Sequence, residues 1–103
     1  MASFFALYPE PEDVEGFEQH YREVHLPLMD EVEGVTEIRT TRATGTPRGG
    51  DAPYHLVFEA VFSSDEALQE ALRGEAFREA GRDAAEMAQR FGIRPVMLLG
   101  EEF

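Results

Sequence analysis

Apolar residues recur at spacings of three and four through Val14, Phe17, Tyr21, Val24, Leu28 and Val32, which defines one stripe of a helix. Asp13 stands ahead of the stripe as an N-cap, and Gly34 stops the helix. Pro27 falls inside it. Because proline offers no amide proton to the carbonyl of Glu23, the helix is expected to kink or restart there. Before this segment, SFFALY (Ser3 to Tyr8) is short, apolar on both faces and ended by Pro9 and Pro11, so it reads as a central strand. After it, GVTEIRTTRAT carries alternating β-branched residues and reads as a second strand ending near Thr44. YHLVFEAVF (Tyr54 to Phe62) is the clearest strand: Tyr54, Leu56, Phe58, Ala60 and Phe62 share one face, and His55, Val57, Glu59 and Val61 the other. SSDEALQEAL opens with a capping serine and acidic residues, which the helix dipole favours in a first turn, and ends at Gly74. A further helix is expected from about Glu75 to Phe91, with Phe77, Ala84, Met87, Ala88 and Phe91 inward. Gly92 closes it, and IRPVMLL forms the last strand.

The resulting order is strand, helix, strand, strand, helix pair, strand. It predicts an α+β split βαββαβ unit, one domain over residues 1–103, with a four-stranded antiparallel sheet and all helices on one face. The other sheet face would then carry Val57, Val61 and the outer residues of the first and last strands without cover. A homodimer through this open sheet face removes the exposure, and a chain of 103 residues is short enough that a site shared between subunits comes into view.

Charge and composition narrow the function classes. The net charge of −12 disfavours nucleic acid and anionic lipid as partners, since their phosphates would be repelled. No apolar run approaches the roughly 18–20 residues that span a bilayer, so no membrane segment and a cytoplasmic location are expected. Cysteine is absent, which removes disulfides, thiolate metal sites and cysteine nucleophiles. GTPRGG lies between two strands and does not follow a strand to open a helix, so no nucleotide cofactor is indicated. His20 and His25 are five apart, not the three or four that place two metal ligands on one helical face, and no metal is expected. His20 lies at the margin of the stripe and is read as solvated.

His25 falls inside the apolar stripe, one turn beyond Tyr21. Burial would hold its imidazole neutral, which suits a general base or an acceptor for a ligand hydroxyl; equally, it would suit a core histidine bonded to backbone. Two segments carry a family resemblance. ALYPEPEDVEGFEQHYREVHLPL, with its core of Phe17, Tyr21, His25, Pro27 and Leu28, and GTPRGGDAPYHLVFEAVFSSDEAL together resemble the EthD-like family of the dimeric α/β-barrel, ferredoxin-like superfamily. The resemblance implies a pocket for a hydrophobic small molecule, with His25 as the leading polar residue; relatives in the superfamily bind haem through a histidine, but nothing in the sequence marks a haem site, and no cofactor is expected. On this reading His25 and Tyr21 are the candidate catalytic residues. His55, Glu59 and Arg39 are candidates for substrate binding, with Glu59 expected to meet Arg39, Arg94 or His55. A non-catalytic binding dimer is the alternative. The loop Gly45 to Pro53 is the one stretch that resembles a lid.

Overall fold

The computed structural model describes every residue, Met1–Phe103. Its elements are β1 (Ala2–Tyr8), α1 (Val14–His20), a π-helical turn (Tyr21–His25), α2 (Leu26–Asp30), β2 (Val35–Arg42), β3 (Leu56–Phe62), α3 (Asp65–Leu72), α4 (Glu75–Phe91) and β4 (Val96–Glu101). The strands lie in the order β2-β3-β1-β4, and all neighbours are antiparallel. This is the α+β, ferredoxin-like arrangement. Phe4, Ala6, Tyr8, Leu56, Phe58, Ala60 and Phe62 are buried beneath the helices, as period-two alternation requires.

The helix starts follow from local chemistry. The Asp13 carboxylate accepts from the amide of Gly16 at 2.9 Å, so closely that a Cβ at Gly16 would lie 2.2 Å from Asp13 Oδ2. A side chain there would push the capping carboxylate aside. Ser64 Oγ accepts from the amide of Ala67 at 3.1 Å and caps α3.

Three boundaries depart from the sequence expectation. β3 begins at Leu56, not Tyr54, so His55 precedes the alternating ladder and its side chain turns toward α1. β4 begins at Val96, directly after Pro95, because proline cannot donate to a ladder. The disturbance expected at Pro27 lies one turn earlier: the backbone stays right-handed and helical through Leu26, whose amide bonds the carbonyl of Tyr21. That five-residue closure is a π turn, and its wider loop absorbs the hydrogen bond that Pro27 cannot make.

Aromatic packing fixes this helix to the sheet. Tyr8 meets Phe17 at 5.6 Å and Tyr21 at 5.4 Å between ring centroids. Along the helix, Phe17 stacks on Tyr21 (5.9 Å, 27°) and Tyr21 on His25 (5.2 Å, 30°). The Phe-x-x-x-Tyr-x-x-x-His spacing is therefore a continuous column of rings. The opposite sheet face has no cover within the chain. Phe5 pairs across to Leu98 and Leu7 to Val96, and Leu98 is 49% exposed. No helix is long and apolar enough to cross a membrane.

Candidate functional site

His25 is 4% exposed, and its Nδ1 lies 2.9 Å from Oδ2 of Asp83 on α4. A carboxylate only accepts, so Nδ1 carries the proton and Nε2 presents its lone pair. Nε2 makes no hydrogen bond within the chain. Burial lowers the pKa of His25, and this outweighs the upward pull of the Asp83 carboxylate beside it. The imidazole is thus a neutral base of fixed tautomer.

The same carboxylate holds a second histidine. His20 Nε2 lies 2.9 Å from Asp83 Oδ1 and 3.1 Å from Oδ2, and its ring packs against Phe91. His20 is therefore not solvated as its α-helical position suggested. In a π turn, residues five apart fall on one side of the helix, so the turn brings His20 and His25 onto one partner. No group of three or more His, Cys, Asp or Glu side chains is placed to hold a metal ion.

His25 lines a cleft of about 240 Å³ between the helices and the sheet. Phe4, Tyr8 and Phe58 line it from the sheet, Met29 from α2, and Phe77 with the small residues of α4 from the helix opposite. Burial raises the pKa of the Tyr8 phenol, which stays protonated as a donor. Tyr21 stands behind His25 and does not line the cleft. Its hydroxyl, beside Tyr8 and Thr40, is the one buried side-chain polar atom without a hydrogen-bond partner, and burial raises its pKa also.

The other sequence candidates lie elsewhere. His55 Nε2 is 2.7 Å from Glu18 Oε2, and Glu18 also takes two hydrogen bonds from Arg42, at 2.8 and 2.6 Å. This fork, with its partner His55, lowers the Glu18 pKa to about 2 and ties α1 to β2 and to the segment entering β3. Glu59 projects from the open sheet face, where Ser3 Oγ donates to it at 2.9 Å and Arg39 stands 3.8 Å away. His55 and Glu59 therefore do not share a face, and neither they nor Arg39 line the cleft. Nor does the loop Gly45 to Pro53, the expected lid.

Asp83 is the site residue that sequence reasoning missed, and a signal for it existed. It sits among Ala80, Ala84, Met87 and Phe91, the buried stripe of α4. A carboxylate there needs a cationic or donor partner, and only three histidines and nine arginines could supply a cationic side chain.

Comparison with known proteins agrees with this architecture. Residues 9–90 match the family model of the EthD domain. An EthD family protein from Bacillus halodurans superposes with a TM-score of 0.89 at 32% identity, covering 100% of this chain and 99% of that one. SnoaB, a cofactor-independent oxygenase from Streptomyces nogalater, shares the fold at a TM-score of 0.67 and 15% identity, with 98% and 91% coverage. A dimeric ferredoxin-like protein of unknown function from Jannaschia sp. does so at 0.62 and 22%, with 95% and 98% coverage. No match was found among curated proteins. With most of its length matched by the domain and a near-complete superposition on a 32% identical relative, the chain belongs to the EthD family.

Proposed function

We propose that this protein is a cofactor-independent acid/base catalyst acting on a hydrophobic small molecule, with His25 as the proton-transferring group. The observation that carries the reading is a buried, neutral imidazole fixed by Asp83 through Nδ1 and lining an apolar cleft. In such a setting Nε2 removes a proton from a weakly acidic C–H or O–H of the ligand, and the resulting imidazolium is stabilised by Asp83 at the moment it forms. The Tyr8 phenol, also on the cleft wall, is a donor for the developing oxyanion. Tyr21 supports the His25 ring by stacking and takes no part in proton transfer. His55 serves the Glu18 latch, and Glu59 and Arg39 serve the open sheet face.

That open face supports a homodimer. Phe5, Leu7, Val57, Val96 and Leu98 form its apolar centre, a similar fold from Jannaschia sp. is described as dimeric, and covering apolar surface is worth roughly 25 cal/mol per Å².

Deuterium exchange from D2O into the α-position of 1-tetralone, an apolar ketone, tests the catalytic reading by proton NMR. The wild type should accelerate exchange, and His25→Asn, which keeps a donor toward Asp83 but lacks Nε2, should lose at least about 100-fold of that acceleration. Equal rates in the two proteins would remove His25 as the base. Binding of 1-tetralone without exchange would instead favour the non-catalytic carrier.

A further inference from the structure

The α4 wall of the cleft is built from Ala80, Gly81, Ala84, Ala85 and Ala88, facing Phe4, Tyr8 and Phe58 across the gap. Ala80 and Ala84 are buried, whereas Gly81 and Ala85 are exposed and mark the mouth; Met97 of β4 and Pro95, the residue before that strand, line the cleft too. Glycine is a poor residue for the interior of a 17-residue helix. Packing does not require it, because a Cβ at Gly81 would meet nothing within 4 Å. Its φ is not positive either. Gly81 lines the cleft, and a second feature points to an occupant there: His25, more than nine-tenths buried and lining the same cleft, has an Nε2 with no hydrogen-bond partner in the chain.

We infer that Gly81 and Ala85 set the size of the ligand, holding open a slot for a flat, uncharged bicyclic ring with one hydroxyl or carbonyl directed at His25. This rests on the reading of the cleft given under Proposed function. An apolar cavity of about 150 Å³ accepts benzene, so about 240 Å³ leaves room for a second fused ring. Aromatic residues on one wall and flat alanine surface on the other favour a planar guest over a branched one. The lining offers no charged side chain to pair with an ionic group.

NMR titration of the wild type, Ala85→Leu and Gly81→Ala with phenol and with 1-naphthol separates the possibilities. In the wild type 1-naphthol should bind more tightly than phenol. Ala85→Leu should weaken 1-naphthol at least tenfold and phenol less than threefold. Gly81→Ala should weaken 1-naphthol in the same sense while raising Tm by roughly 4–8 °C, because alanine is the better helix former. Unchanged 1-naphthol affinity in Ala85→Leu, equal loss of both rings, or a lower Tm in Gly81→Ala would each overturn size selection while leaving His25 as the base. Failure of the wild type to bind either ring would overturn the cleft reading itself, and the size selection with it.

Discussion

His25 and Glu18 both have folded pKa values below their ordinary ones, and each links protonation to stability. Burial places the folded pKa of His25 below its usual 6.5, so the unfolded chain takes up that proton first. The stability it contributes is complete above about pH 6.5 and is lost as pH falls toward the folded pKa. Glu18 is also depressed, to about 2 from 4.5, so its contribution holds above pH 4.5 and is lost between there and the folded value. Urea unfolding at stepped pH should show two declines, and His25→Asn should flatten only the upper one. Asp83→Asn should cost about 1–3 kcal/mol, since a buried and a half-buried imidazole share one acceptor; a cost below about 0.5 kcal/mol would argue against the shared-carboxylate account. His25 was legible in the sequence because an imidazole on an apolar stripe stands out. Asp83 was not, since its partners lie 58 and 63 residues away and only the fold joins them.

At the scale of elements, the turn Tyr21–His25 decides how the site is assembled. Pro27 was readable as an interruption, but periodicity of 3.6 residues holds no hint of a five-residue closure, so His20 fell on the wrong side of the helix. Pro27→Ala restores an amide for the Glu23 carbonyl. The π turn should then relax to α, rotating His20 away from Asp83, and a crystal structure of the variant checks this by the His20–Asp83 distance. The Glu18–Arg42–His55 latch is likewise invisible in strand alternation, because His55 lies just outside the ladder it was assigned to. Glu18→Gln should destabilise the fold by about 1 kcal/mol near neutral pH, a modest cost because Arg42 is half exposed. That difference should shrink as pH falls from 4.5 and vanish only below the folded pKa of about 2, where the wild-type carboxyl is also protonated.

For the whole molecule, the order of strands and helices, and hence the fold, was written in the hydrophobic pattern; the cleft was not, because it arises where β1, β3, β4, α2 and α4 converge. The open sheet face was predictable from the same pattern, as residues apolar on both sides of a strand need two covers. Leu98→Lys should convert the proposed dimer to monomer in analytical ultracentrifugation. Each copy carries −12, so raising ionic strength from 10 to about 150 mM should tighten wild-type association by screening the repulsion. A wild type that is monomeric at every salt concentration would contradict the dimer. All of these features converge on one imidazole, and nitrogen-15 NMR of the histidine side chains observes it directly. The account predicts that His25 is neutral at pH 7, protonated on Nδ1 with Nε2 bare, and titrates below 6.5; a charged ring at pH 7, or a proton on Nε2, would contradict it.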